Sequence, residues 1–242
     1  MNMLAMTLSP ELDRNGAAFG LPTGDLASES LLDRRIKTAA PRLLQAREHV
    51  FFDGDPKDHV YQVEKGTVCL YKTLPDGRRQ IVDFAYPGDL IGLSTLKAHV
   101  FSAQAIALTR LRCLPAALLE EIARKDPRVG VQLYRALSDQ LLSAHDLLLT
   151  VGQRNATERL AALLMALSRR NERGGADAAR IALPMTRADM ADFLSLTIET
   201  VSRTFTKLRL AGFIDLAHSS LVVIRNRRAL GRLAAGEAGG MK

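Results

Sequence analysis

Residues Leu183–Gly212 read LPMTRADMADFLSLTIETVSRTFTKLRLAG. The pattern predicts two short helices joined by a tight turn. Thr186 is placed to cap the first helix, and Asp189, three residues on, sets a carboxylate against its free amide N–H groups. Met190, Ala191 and Leu194 give this helix an apolar face. Ser195 and Leu196 make the turn. Thr197 caps a second helix, Ile198–Leu210, which Gly212 ends in a left-handed conformation. Val201, Phe205 and Leu208 recur at helical spacing and point inward.

Ile198, Glu199, Ser202 and Arg203 fall on the opposite side, near the helix N-terminus. A helix-turn-helix presents such positions to base edges in the major groove. The core Glu199-Thr200-Val201-Ser202-Arg203, an E-x-x-S-R pattern preceded by LPMTRADMADFL, resembles the helix-turn-helix of the CRP/FNR family of bacterial transcription regulators. Within that family it looks closest to the FNR and FixK branches. Relatives often carry Gly in the turn. Here Ser195 stands there, and a side chain meets a steric cost at positive φ.

The distribution of charge agrees with a polyanion partner. Residues 1–150 hold 18 Lys+Arg and 18 Asp+Glu, whereas residues 151–242 hold 15 and 8. All the excess of +7 therefore lies in the part that carries the two helices. Hydrophobic residues make up 47%, enough for real cores in one large or two smaller domains. Cys69 and Cys113 are isolated thiols in apolar, strand-like runs, which reads as buried reduced cysteine and not as a metal site. No membrane-length apolar run or signal peptide is apparent, so a cytoplasmic location is expected.

From about His49 the period changes from helical to alternating, with turn residues at Gly54-Asp55-Pro56, Lys65-Gly66, Asp76-Gly77 and Pro87-Gly88-Asp89. Asp76-Gly77, between Cys69–Leu74 and Gln80–Phe84, is a hairpin signal. The spacing predicts a small antiparallel roll. F-x-x-G-D at Phe51–Asp55, the run Val60–Gly66 and P-G-D-L-I-G at Pro87–Gly92 resemble the β-roll of cyclic-nucleotide-binding and CRP/FNR sensor domains.

In that family a Glu and an Arg-Ser pair hold the ribose and cyclic phosphate. The corresponding positions here are Leu93 and Phe101-Ser102. A buried phosphate would lack its counter-charge, so no usual cyclic-AMP site is expected. Residues 1–50 contain no cysteine, and Cys69 alone cannot hold an iron–sulfur cluster. His99 is a conceivable haem ligand, but a single loop His is expected to be simply exposed. The resemblance is to the FixK type, with neither classical sensor site and no cofactor or metal.

Leu26–Ile36 and Pro115–Arg124 read as short helices. Asp126-Pro127 starts a long helix running to about Val151. Along it Tyr134, Leu137, Leu141, Ala144, Leu148 and Val151 repeat at 3-4 spacing. Leu133, Ala136, Gln140 and Leu147 lie beside that seam and face the roll. The seam packs either within one subunit or against a second copy; the family uses this helix for dimerisation, so the resemblance implies a homodimer. A helix over Thr157–Arg170 floors the basic part, and Gly174-Gly175 mark a loop. Phe213–Leu216 and Leu221–Ile224 form a hairpin wing, and Asn226–Ala234 a basic closing helix.

The expected fold is α+β: a 1–25 extension, a cyclic-nucleotide-binding-domain-like antiparallel β-roll over 26–125, a dimerisation helix over 126–152 and a winged helix-turn-helix over 153–242. Arg203 is suited to guanine O6/N7, Glu199 to a cytosine amino group and to orienting Arg203, and Ser202 to either kind of edge. Thr186, Arg187, Thr197 and Lys207 are candidates for phosphate. The resemblance implies double-stranded DNA with a palindromic TTGA-type promoter site, and bacterial RNA polymerase, as partners. The alternative is a regulator gated by a non-cyclic-AMP small molecule or haem in the roll. No catalytic arrangement supports an enzyme.

Overall fold

The structure is a computed structural model, described over residues 30–218 and 220–237. The 1–25 extension, the first residues of the expected Leu26–Ile36 helix, Ser219, and the residues beyond Glu237 lie outside the described residues.

Helix α1 (Leu31–Thr38) is closed by a Ser30/Asp33 capping box. Eight strands follow: β1 (Ala40–Leu44), β2 (His49–Phe51), β3 (His59–Lys65), β4 (Val68–Thr73), β5 (Arg79–Ala85), β6 (Leu90–Ile91), β7 (Ser102–Ala105) and β8 (Thr109–Pro115). They form two antiparallel sheets, ordered β1-β8-β3-β6 and β2-β7-β4-β5. Leu44, Val63 and Leu111 of the first meet Val50, Val68 and Ala103 of the second in the roll's interior. The Asp76-Gly77 turn closes β4 on β5, with Gly77 at φ 82° and its amide donating to Leu74 O at 2.9 Å. Sequence alternation did not reveal β1. It is an exposed edge strand containing Pro41, which weakens any strand signal.

Helix α2 (Ala116–Lys125) leads to α3 (Pro127–Gln153), capped by Asp126 and followed by Pro127 at its first position. The 27-residue helix runs through Gly152. Gln140 Nε2 donates to Leu90 O at 2.9 Å, so this side of α3 lies on the roll. The other side is open: Leu137, Leu141 and Leu148 are each about half exposed or more.

Helix α4 (Ala156–Arg173) starts one residue earlier than expected, because Asn155 caps it and Glu158 Oε2 accepts from the Asn155 amide at 3.0 Å. It carries Leu160, Leu163, Leu164 and Leu167 into the core. β9 (Arg180–Ala182), α5 (Arg187–Leu194), α6 (Ile198–Leu210), β10 (Ile214–His218), β11 (Leu221–Ile224) and α7 (Arg227–Ala234) complete the chain. The wing is a three-stranded sheet, ordered β10-β11-β9. β9 has one inward residue, Ile181 opposite Val222, too few for a periodic signal.

Candidate nucleic-acid interface

Helix α5 is fixed by reciprocal bonds at its start. The Asp189 amide donates to Thr186 Oγ1 at 3.1 Å, and the Thr186 amide donates to Asp189 Oδ2 at 2.9 Å. Burial raises the Asp189 carboxyl, but the Thr186 hydroxyl and amide and the Arg79 guanidinium outweigh it and hold it below the usual range. Ser195 then adopts φ 52°, ψ 52°, the left-handed conformation that the sequence marked as costly for serine. Leu196 N donates to Ala191 O at 3.0 Å, and the chain turns into α6.

Thr197 caps α6, accepting from the Thr200 amide at 3.2 Å. Val201, Phe205 and Leu208 are buried, as their spacing predicts, together with Thr204. Thr204 escapes an apolar-spacing argument because its hydroxyl donates back to Thr200 O at 2.7 Å, which lets a polar residue sit inward. Gly212 ends the segment at φ 73°, a conformation in which a side chain would be strained.

Ile198, Glu199, Ser202 and Arg203 lie together on the exposed side of α6, with Ile198 48% exposed. Lys207 continues that side one turn on. Among the described residues Glu199 and Arg203 form no ion pair with each other, so Arg203 is not oriented by Glu199 in this structure. Thr186 and Thr197 are exposed at the starts of α5 and α6.

Arg187, a candidate for phosphate, is engaged within the protein. Its guanidinium lies 3.5 Å from the centroid of the Phe205 ring, and Nη1 approaches Met190 Sδ at 3.5 Å. Burial lowers its pKa. It is half-buried and packs α5 on α6, because an aromatic face one helix away offers its cation a closer partner than solvent.

Sequence reasoning also missed Arg159. One guanidinium donates to Val151 O at 2.7 Å, Arg154 O at 2.8 Å, Leu194 O at 2.9 Å and Ser195 O at 3.2 Å. No local pattern marks such a residue, since its acceptors are main-chain oxygens up to 36 positions away.

In the roll, Leu93 packs beside the cluster that joins α1, α2 and α3 to Val60 of β3 and Leu114 of β8, and Phe101 is 37% exposed. Neither supplies a charge. Ser102 Oγ is taken by the Asp53 amide at 3.0 Å. The expected exposure of His99 is corrected: it is buried, stacked on Phe51 with ring centroids 3.6 Å apart and planes 7° from parallel. Its loop folds back through Gly54 N to His99 O at 2.8 Å, which draws the ring inward. Cys69 is fully buried and its thiol is pushed up to about 11, so it is no ready nucleophile. Cys113 is half-buried, more open than expected, and packs against the margin of the roll's inner cluster.

Residues 158–233 match the family model of a Crp-like helix-turn-helix domain, and residues 41–126 that of a cyclic nucleotide-binding domain. The nitrogen fixation regulation protein FixK of Azorhizobium caulinodans is 38% identical over 213 residues, covering 87% of this chain and 86% of that protein. The transcriptional activatory protein AadR of Rhodopseudomonas palustris is 38% identical over 183 residues, covering 75% of this chain and 76% of that protein. The solved structure of FixK2 from Bradyrhizobium japonicum matches with a TM-score of 0.76 at 37% identity, covering 81% of this chain and 96% of that one.

Proposed function

Because this chain belongs to the CRP/FNR family of DNA-binding transcription regulators, we propose that it binds a palindromic, TTGA-type promoter site as a homodimer and activates transcription there. The observation that carries this reading is the two-sided character of α6. One side is locked into the core by Val201, Phe205 and Leu208, and the other holds Ile198, Glu199, Ser202 and Arg203 in the open. A helix packed on one side, with three polar residues and Ile198 exposed on the other, suits major-groove readout. Arg203 takes a guanine through O6 and N7, Glu199 accepts from a cytosine amino group, and Ser202 contacts a neighbouring base edge. Thr186, Thr197 and Lys207 engage phosphates and set register.

The dimer is formed by the open side of α3, with Tyr134, Leu137, Leu141, Ala144, Leu148 and Val151 facing their copies. Two such chains present two α6 helices to one face of a duplex, which is why the site is a palindrome. RNA polymerase is the partner through which activation acts, and the protein works in the cytoplasm without catalysing a reaction. No helix among the described residues is long and apolar enough to cross a membrane. The roll serves as scaffold, since Leu93 and Phe101 replace the charged groups that a cyclic nucleotide needs.

The test is a titration of the purified chain on labelled palindromic and scrambled duplexes at several salt concentrations, with and without cyclic nucleotide. Preferential binding of the palindrome with no nucleotide present supports the reading. Equal binding of both duplexes refutes it.

A further inference from the structure

Strand β5 ends its sheet, and α5, the first helix of the helix-turn-helix, packs against it beside α3. Two consecutive residues of β5 grip that helix along its length. Arg79 Nη2 donates to Asp189 Oδ1 at 2.5 Å, and Arg79 Nε donates to Asp192 Oδ2 at 2.9 Å. Asp189 gives its other oxygen to the Thr186 cap, so the roll holds the same carboxylate that starts α5. Gln80 Nε2 donates to Asp192 O at 2.7 Å, and Ser195 Oγ donates to Gln80 Oε1 at 3.3 Å.

The grip is anchored on the roll's side as well. Arg79 Nη1 donates to Gln104 Oε1 at 3.1 Å, and the guanidinium stands 5.4 Å from the centroid of the Tyr71 ring. Tyr71 OH is hydrogen-bonded to His49 Nε2 at 2.9 Å. The Arg79 and Asp189 side chains are only 27% and 11% exposed, so water screens this pair less than a surface ion pair. The planar fork of arginine suits this site better than lysine, whose ammonium cannot reach two carboxylates and an amide along fixed directions.

The geometry points to Arg79 and Gln80 as positioning residues for DNA recognition: they latch α5 to the edge of the roll with the reading side of α6 facing outward. This rests on the reading of α6 as the groove helix. Helix α6 follows α5 because Arg187 stacks on Phe205 and because Met190, Leu194 and Val201 are buried together. The latch therefore substitutes for a ligand in the roll as the part that sets the helix-turn-helix orientation. Ser195 contributes through its hydroxyl, which a glycine would lack.

The experiment uses the full-length chain on the labelled palindrome. Arg79→Ala is expected to weaken binding about tenfold while dimer mass is unchanged, and Arg79→Lys about threefold. In a cycle with Asp192→Ala, the double variant is expected to bind about as weakly as the worse single one. Spin labels at Lys65→Cys and Arg228→Cys, in a Cys113→Ser background, read the distance between roll and helix-turn-helix, which should broaden in Arg79→Ala. Binding within about twofold of the parent, additive losses in the cycle, or an unaltered distance distribution overturns the proposal. Should Arg79→Ala lose its cooperative melt, Ser195→Gly decides. It relieves the left-handed strain and should melt higher, yet bind DNA more weakly. Equal or tighter binding overturns the latch. A parent chain that ignores the palindrome instead removes the reading of α6 and leaves the distance measurement to judge the latch.

Discussion

Arg159 on α4 donates to the main-chain oxygen of Leu194, the last residue of α5, at 2.9 Å. The same guanidinium reaches Val151 O on α3, so the end of the long helix and the turn of the helix-turn-helix share one donor. Arg159→Ala leaves several half-buried carbonyls without that partner. Bonds to charged donors are worth about 1.5–3 kcal/mol each, with water recovering part of the loss. A net destabilisation of about 2 kcal/mol is expected, read as a lower urea midpoint with an unchanged slope.

Arg203→Ala should abolish discrimination for the half-site guanine and leave non-specific binding in place. A bidentate pair is worth about 1–3 kcal/mol, so a symmetric dimer loses about 2–6 kcal/mol of specificity. Lys207→Ala should weaken binding to every sequence and flatten the salt dependence by about one unit per contact. Titrations on matched and guanine-substituted palindromes separate the two. Equal weakening of both duplexes by Arg203→Ala would make Arg203 a phosphate contact.

Leu141 is 56% exposed on the open side of α3. Leu141→Lys sets two charges against each other in the proposed dimer and should shift the mass from two chains to one, with loss of DNA binding. Light scattering that gives an unchanged mass would place the interface elsewhere.

Asp83 on β5 is pushed up to about 6 by burial; the Phe84 amide opposes this, Asp89 adds to it, and Arg170 opposes it again. A carboxyl raised in the folded state favours folding most when protonated. Its contribution is full below the unfolded value of 3.8 and is lost as pH climbs through about 6. Asp83→Asn should therefore stabilise the protein at about pH 8 by something on the order of 1–3 kcal/mol, with the gain shrinking toward about pH 4. Melting curves across that range check the sign; a gain that grows on acidification would refute it.

Calorimetry with cyclic AMP should give no submicromolar binding, because Leu93 and Phe101 offer no partner for the ribose or the phosphate. Tight binding coupled to higher DNA affinity would show that other groups hold the nucleotide.

Helix α6 and its buried row were legible because Val201, Phe205 and Leu208 repeat with the helix period, and Thr197 and Gly212 punctuate its ends. The hairpin at Asp76-Gly77 was legible for the same local reason. What escaped was set by partners distant in sequence. Pro41 hides β1, whose strand character comes from pairing with β8. Arg187 looks like a free cation until Phe205 is placed beneath it. His99 looks like a loop residue until Phe51 stacks on it. The ion pairs from Arg79 to Asp189 and Asp192 span more than 100 positions, and no periodicity carries that information.

One hydrophobic cluster runs without a break from Cys69, Ile81 and Phe84 of the roll to Leu160, Met190 and Leu194 of the helix-turn-helix. Phe84 and Phe193 meet across it with ring centroids 5.1 Å apart. The two halves are therefore not interchangeable cassettes. A chimera that joins this roll to a foreign reader, even at the loop between α3 and α4, would leave Ile81 and Phe84 bare on an open sheet edge, a surface prone to self-association. Gene fusion or recombination can yield a soluble hybrid from this scaffold if the seam residues of β5 and α5 travel together.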